Sequence, residues 1–280
     1  MEKGTPKQDG ERLEDLKYRG EGVLQLAKGV ARLPVAPIAM VRGNTRKNLE
    51  NAERLKKTAT HELGHMLAML FQDQRVKGVY VLRNRILRES LGMPMGITTN
   101  DNPAVMFATA TICGNIAGGI IKILNGKKGM DFDFDRMNEN QKVNFMINLL
   151  SGEAAELPEQ NTDSGEHFYT GDVTSDASKA KSTLEASKEL NKPANEIMET
   201  FHAELVSFFR EPQMQRILNV LKDELLKTDY LATFGKSLDK KILQILEKNG
   251  ITKTEFEEEK KRFHALIKKL KDYLNGCLNR

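Results

Sequence analysis

Two histidines separated by three residues carry the clearest chemical signal in this sequence. The run His61-Glu62-Leu63-Gly64-His65 lies in a stretch whose apolar residues recur at helical spacing. Residues i and i+4 share one face of a helix, so both imidazoles can bind the same metal ion. Neutral imidazole is a good zinc ligand, and zinc with three protein ligands keeps a fourth position for water. The pattern therefore predicts a zinc site in which Glu62 takes a proton from that water.

A zinc site of this kind needs a third protein ligand, which the motif itself does not contain. The metzincin class would have glycine at position 68 and histidine at 71, and the chain has Ala68 and Phe71 instead, which excludes that class. The remaining choices are a downstream glutamate or an aspartate further along. The nearest glutamates are Glu89, Glu153 and Glu156. The residue pattern alone leaves these alternatives open.

The elements that would position this motif are mostly helices. The chain predicts one long helix from Asn44 or Thr45 to about Phe71, and the motif lies within it. The other predicted elements are a strand over 76–82, a turn over 92–96 before a second short strand, and helices over 138–156 and from about 173, 193, 212, 236 and 252. The last helix begins with a capping box formed by Thr252 and Glu255. We therefore expect a mainly α, α+β fold with one small sheet.

Composition excludes several classes of function. The chain has 280 residues, and its 43 Lys+Arg nearly balance its 39 Asp+Glu, which argues against a nucleic-acid partner. It has no Trp and no phosphate-binding loop, so base stacking and ATP hydrolysis by that route are not expected. Two cysteines, Cys113 and Cys277, cannot form a disulfide framework, and no secretory signal precedes them. A cytoplasmic location is the expectation.

Three further segments have competing interpretations. Residues 104–121 carry no charge, but polar residues interrupt the run, so a buried core helix is favoured over a membrane span. Residues 131–135 alternate Asp like a calcium loop, yet Arg136 and Lys142 stand where such a loop needs Gly and Glu, which favours an acidic turn. Residues 22–32 have helical spacing and are interpreted as part of a packed N-terminal arm rather than a membrane-surface contact.

Several segments resemble the FtsH family of bacterial and organellar zinc proteases. The run LKKTATHELGHMLAML (55–70) is similar to the zinc helix of that family, whose motif is usually HEAGHA. The strand over 76–82, followed by Gly92 and Gly96, resembles the strand and turn that come after the zinc helix in that family. The run LLSGEAAE (149–156) resembles the family's LLGGRAAE, and TG (170–171) with TSDASKA (174–180) resembles TGASNDLxxA. The similarity spans about residues 45–250.

This resemblance implies a ligand set. Asp176 stands where the family has its third zinc ligand, with Asp172 as the alternative. Without the resemblance, Asp176 is equally interpreted as the N-cap of the following helix. His61 and His65 would then complete the set, which gives a zincin-like helix beside a small sheet. Glu153 stands where the family motif has Arg.

The roles of three neighbouring residues stay open at this point. Glu153 and Glu156 either orient a ligand histidine, or belong to an ordinary helix surface or to a salt bridge between helices. His167 is interpreted as a solvent-exposed side chain. The strand over 76–82 either offers an edge to a substrate backbone or is an ordinary sheet strand.

The resemblance also implies an activity, namely a zinc-dependent endopeptidase that cuts unfolded or flexible polypeptides. It covers the peptidase part of the family only, so we expect either cleavage without ATP or reliance on a partner ATPase, with a homo-oligomer as a further possibility. The domains expected are an N-terminal arm (1–43), the zinc peptidase domain (44–192) and a C-terminal helical subdomain (193–280). The alternative is a catalytically inactive, FtsH-peptidase-like interaction or regulatory protein. No membrane association is expected.

Overall fold

The computed structural model describes residues 52–81, 96–99, 134–156, 176–232 and 238–278, together with Gly20 and Val23. Over 96–99 the description covers the backbone alone. The helices and strands below all belong to one compact unit of the chain. A second unit consists of residues 1–50, 82–95 and 103–132, of which only Gly20 and Val23 are described.

The described part of the chain forms seven α-helices and three short strands. In chain order they are α1 (Ala52–Phe71), β1 (Gly78–Val81), β2 (Gly96–Thr99), a 3₁₀ turn (Phe134–Arg136), α2 (Glu139–Glu156), α3 (Asp176–Ala186), α4 (Ala194–Phe209), α5 (Pro212–Thr228), β3 (Tyr230–Ala232), α6 (Asp239–Lys248) and α7 (Lys253–Gly276). The prediction of a mainly helical α+β fold with one small sheet is confirmed. The capping box that begins the last helix is also present, between Thr252 and Glu255.

The three strands form one antiparallel sheet in the order β2-β1-β3. Both edges of β1 are therefore occupied, since Gly78 faces Thr99 on one side and Ala232 on the other. The interpretation in which the strand over 76–82 offers an edge to a substrate backbone is wrong for this reason. β3 was not predicted, because three residues between two helices are too short to show a strand period.

Helix α1 is mostly exposed over residues 52–57, and none of its residues is exposed over 58–71. Its buried apolar residues are Leu55, Ala59, Leu63, Met66, Leu67, Ala68, Leu70 and Phe71. The helix ends where Asp73 adopts a left-handed conformation, with φ of 58°. Helix α7 contacts this end, since His264 Nε2 donates to the Phe71 carbonyl over 2.5 Å and Lys260 pairs with Asp73. These contacts fix the C-terminal end of α1 against α7.

A glycine lets α1 cross α2 at very short range. A Cβ on Gly64 would lie 2.4 Å from the Ser151 carbonyl oxygen and 2.7 Å from Ala155 Cβ, and real Cβ atoms do not approach so closely. The Ser151 side chain is itself buried and donates to the Ile147 carbonyl over 2.5 Å. The backbones of the two helices are therefore in direct contact beside the His-Glu-x-x-His motif.

Phenylalanine rings fill the core between α1, α4 and α7. Phe71 lies 5.5 Å from Phe263, 5.2 Å from Phe256 and 6.2 Å from Phe208, measured between ring centroids. Tilted and edge-to-face pairs at these distances stabilise a core beyond the burial of their area. The cluster holds α1 against the helices that follow residue 193.

A buried histidine in α4 makes stability depend on pH. His202 is 4% exposed, and burial, aided by Arg210, lowers its pKa from 6.5 to about 3. Between these values the unfolded chain binds a proton that the folded chain does not, so stability falls as pH drops below 6.5. We expect a loss of about 1.4 kcal/mol per pH unit, or about 2 kcal/mol at pH 5. The free energy of unfolding, measured with urea at pH 7 and at pH 5, gives this loss directly.

The control for that measurement is His202→Gln, whose side chain stays neutral at both values of pH. Its difference in unfolding free energy between pH 7 and pH 5 should be smaller than that of the wild type by about 2 kcal/mol. An identical pH dependence in the two proteins would show that His202 is not the group responsible.

Several predictions concern residues outside the described part of the chain. They are the start of the zinc helix before residue 52, most of the helix over 22–32, most of the turn over 92–96, the uncharged segment 104–121, Asp131 and Asp133, the ligand alternatives Glu89 and Asp172, and His167. Asp135 lies in the 3₁₀ turn, where its carboxylate accepts hydrogen bonds from the Ser187 hydroxyl and the Lys188 amide. Among the helices that are described, none is long and apolar enough to span a membrane.

Candidate metal centre

The two motif histidines lie on one face of α1 with their ring nitrogens close together. His61 Nε2 and His65 Nε2 are 3.0 Å apart, and the rings stand at 80° to each other with centroids 4.7 Å apart. Both side chains are half-buried. This arrangement follows from the spacing of four residues on a helix. The two Nε2 atoms point to a common position.

Asp176 approaches the same position from a different helix. It is the first residue of α3, and its Oδ2 lies 3.3 Å from His65 Nε2 and 3.7 Å from His61 Nε2. Three potential ligand atoms from three side chains therefore lie within 4.8 Å of one another. In the described part of the chain, this is the group of His, Cys, Asp and Glu side chains that could hold a metal ion.

Each imidazole is held through its other nitrogen by helix α2. His61 Nδ1 lies 2.5 Å from Glu156 Oε1, and His65 Nδ1 lies 2.6 Å from the Asn148 carbonyl oxygen. A carbonyl oxygen only accepts, so His65 Nδ1 carries the hydrogen. Both Nε2 atoms are then left to face Asp176. Hydrogen bonding through the non-ligating nitrogen is the usual way in which proteins orient metal-binding histidines.

The backbone of α2 at Gly152 lies directly against both imidazole rings. A Cβ at this position would lie 2.5 Å from His65 Nε2 and 2.7 Å from His61 Nε2. Because both rings are held at Nδ1, they cannot move aside without losing a hydrogen bond. The absence of a side chain at residue 152 is therefore a condition for the observed arrangement.

Gly152→Ala tests whether metal binding requires the absence of a side chain at residue 152. Alanine favours a helix interior over glycine by about 0.5–1 kcal/mol, so the fold should persist. The metal affinity should fall by about tenfold or more, as it does when the support of ligand histidines is disturbed. Competition with a chromophoric chelator measures the affinity, and circular dichroism checks the fold.

The control is Gly276→Ala in α7, where a Cβ would meet nothing within 4 Å. This variant should bind metal as the wild type does. If Gly152→Ala also bound metal with the wild-type affinity, the two imidazoles would be able to move away from a Cβ at residue 152 without loss of binding.

Electrostatics at this cluster favour a positive charge. Burial disfavours a charged imidazole, but hydrogen bonds with Asp176 and Glu156 outweigh it and raise the pKa of His61 to about 10. Burial acts against the Asp176 carboxylate too, yet His61, His65 and Lys179 together hold its pKa well below the ordinary range. The carboxylates therefore stabilise a positive charge on the His61 imidazole, and a metal ion would have to displace a proton from that ring.

Two lysines pair with the site carboxylates on their outer side. Lys179 Nζ lies 2.6 Å from Asp176 Oδ1, the oxygen that faces away from the histidines. Lys57 Nζ lies 3.2 Å from Glu156 Oε2. Each carboxylate thus uses one oxygen toward an imidazole and the other toward a lysine.

Glu62 follows His61 on α1 and is 9% exposed. Its charge acts on the His61 imidazole. A carboxylate next to a metal-binding histidine on the same helix can accept a proton from a water molecule bound to the metal.

The structure brings together residues that the sequence treated separately. His61, His65 and Asp176 converge. Glu156 contacts both His61 and Lys57 across the two helices, which agrees with orientation of a histidine and with a salt bridge between helices alike. The roles of Gly152, the Asn148 carbonyl and Lys57 were not predicted. A signal was present in α2, where Asn148, Gly152 and Glu156 recur every four residues and so share one helix face.

Comparison with known proteins identifies no relative of this chain. No family model, curated protein or solved structure matches the chain.

Proposed function

We propose that the chain is a zinc-dependent endopeptidase of the FtsH type that hydrolyses peptide bonds in unfolded or flexible polypeptides. The observation that carries the proposal is the convergence of His61 Nε2, His65 Nε2 and Asp176 Oδ2, with Glu62 on the helix that holds both histidines. The sequence resemblance supports the choice of family.

The distances between the three ligand atoms suit zinc. Zinc binds imidazole nitrogen and carboxylate oxygen at about 2.0–2.2 Å in tetrahedral geometry, which separates neighbouring ligand atoms by about 3.3–3.5 Å. The distances of 3.0, 3.3 and 3.7 Å span this value. Two imidazoles and one carboxylate also leave a fourth position for water, as in catalytic zinc sites.

In this proposal some residues hold the zinc ion and orient its ligands, and Glu62 transfers the proton. When bound, zinc supplies a Lewis acid that polarises a carbonyl and lowers the pKa of a bound water to near 7. Glu62 accepts the proton of the attacking water and passes it to the nitrogen of the leaving amine. Glu156 and the Asn148 carbonyl keep the imidazoles oriented throughout.

Cleavage of casein, a loosely folded protein, tests the proposal. Purified wild type should contain about one zinc per chain and should cleave casein without ATP, since the substrate needs no unfolding. A chelator should abolish cleavage, and added zinc should restore it. Metal analysis by mass spectrometry reports iron and manganese in the same sample. A protein with neither zinc nor cleavage would overturn the proposal and leave the interaction or regulatory protein as the alternative.

A further inference from the structure

The two carboxylate oxygens of Asp176 have different partners. Oδ2 faces the imidazoles, 3.3 Å from His65 Nε2 and 3.7 Å from His61 Nε2. Oδ1 accepts a hydrogen bond from Lys179 Nζ over 2.6 Å. The side chain is therefore held with one oxygen toward the position between the histidines and the other toward the lysine.

Lys179 reaches this oxygen because it lies one helical turn beyond Asp176, which is the first residue of α3. Residues i and i+3 are neighbours on a helix surface. An ammonium group donates hydrogen bonds and accepts none, and a charge-assisted bond is roughly twice as strong as a neutral one. The resembled family motif leaves the position of Lys179 unspecified, so the contact is a feature of this chain.

This ion pair adds little to the stability of the fold. The Lys179 side chain is 56% exposed, and ion pairs of exposed lysines contribute little to the free energy of unfolding. Its partner Asp176 is only 24% exposed and is the proposed metal ligand. The consequence of the pair is therefore expected at the ligand, where it decides how the carboxylate is turned.

The orientation of Asp176 determines how many oxygens it offers to a metal ion. An aspartate carboxylate can bind through one oxygen or through both. A catalytic zinc site has three protein ligands and keeps a fourth position for water. If both oxygens of Asp176 were turned to the metal, the second oxygen would compete with water for that position. The terminal torsion of an aspartate is soft, so a partner on the second oxygen is needed to fix it.

We propose that Lys179 is a positioning residue that keeps Asp176 a ligand through one oxygen and so keeps the fourth metal position open. Lys179 donates to Oδ1 and thereby leaves Oδ2 as the oxygen for the metal ion. This inference rests on the proposed function, because it concerns the same metal centre. It is a statement about coordination, and it can be measured without a substrate.

The test measures how readily a small neutral ligand enters the fourth position. The proteins are loaded with cobalt(II), which binds the same nitrogen and oxygen ligands as zinc and absorbs visible light. Free imidazole is the probe, because an uncharged ligand is not attracted or repelled by the lysine charge that a variant removes. Titration with imidazole, followed by the cobalt absorption, gives its dissociation constant, and chelator competition gives the affinity for cobalt itself.

Two variants of Lys179 and one control isolate the hydrogen bond. Lys179→Met keeps a side chain of similar length without a donor, and Lys179→Arg keeps both the charge and the donor. The matched control is Lys181→Met on the same helix, whose lysine pairs with Glu185 over 3.8 Å. Both lysines are at least partly exposed, so each variant should fold, which circular dichroism checks.

Lys179→Met should raise the dissociation constant of imidazole by about tenfold, because imidazole must first displace a ligand oxygen at the cost of about one charge-assisted contact. The same variant should bind cobalt about tenfold more tightly, since Asp176 gains a ligand oxygen and the centre loses a neighbouring positive charge. Lys179→Arg and Lys181→Met should both keep the wild-type dissociation constant for imidazole. Equal imidazole binding in the wild type and Lys179→Met would overturn the inference.

Cleavage of quenched peptides by the zinc-loaded proteins separates this inference from the peptidase proposal. Lys179→Met should lose about 10²-fold in kcat, the cost of misplacing a reacting group, and Lys179→Arg should recover most of it. If the wild type cleaves no peptide but Lys179→Met binds imidazole more weakly, the peptidase proposal fails and the role of Lys179 stands. If the wild type cleaves peptides but imidazole binding is unchanged in Lys179→Met, only the role of Lys179 fails. A wild type that binds no cobalt overturns both.

Discussion

Glu62→Gln is expected to lower the kcat for peptide cleavage by about 10³-fold, within the range for losing a general base. Glutamine has the size of glutamate, so the buried position in α1 stays filled. It cannot accept a proton from water, so the chemical step slows. None of the three ligand atoms changes, and zinc content should stay near one per chain.

Initial rates on quenched peptides, together with zinc analysis of the same samples, measure this effect. The loss should appear in kcat with little change in KM, because Glu62 acts mainly in the transition state. The matched control is Glu53→Gln, an exposed glutamate in the first turn of the same helix, which should keep the wild-type rate. A wild-type rate in Glu62→Gln would show that Glu62 is not the base. Loss of zinc would instead show that it helps to hold the metal.

Asp176→Ala is expected to weaken zinc binding by about 100-fold or more. Disturbing an outer partner of a ligand costs about 10–100-fold in metal affinity, and removing a ligand should cost at least as much. The variant loses Oδ2 beside both imidazoles and also leaves Lys179 without its closest carboxylate. The zinc affinity of Asp176→Asn, which keeps an oxygen but not the charge, should lie between those of the wild type and Asp176→Ala. Zinc affinity is measured by chelator competition.

The control for Asp176 must separate metal binding from helix stabilisation. A negative charge in the first turn of a helix interacts favourably with the helix dipole by about 0.3–1 kcal/mol. Asp239 begins α6 as Asp176 begins α3. Asp239→Ala should therefore show the small loss of stability without any loss of zinc. If the two variants bound zinc equally well, Asp176 would be a helix-terminal residue and not a ligand.

Local periodicity accounts for most of what could be predicted about the fold. The helix over 139–156 was expected close to its observed bounds, and the helices over 194–209 and 212–228 close to their observed starts, since each buries one regular face. The strand β3 was missed because its pairing with β1 depends on where α5 ends. Asp229, in a left-handed conformation, redirects the chain there.

The sequence by itself determined the pair of imidazoles, because residues four apart on a helix must share a face. It also placed the carboxylate of Glu62 beside them. Only the tertiary structure decided which side chains complete the centre. Gly64 lets α1 approach the backbone of α2, which sets Glu156 against His61.

The position of Asp176 is likewise a matter of packing, since no local spacing relates the start of α3 to the face of α1. Candidates such as Glu89, Glu153 and Asp172 were equally available as residue types. Side chains from different helices converge through long-range contacts, and these contacts arise from the shapes of the packed surfaces rather than from the period of any one segment.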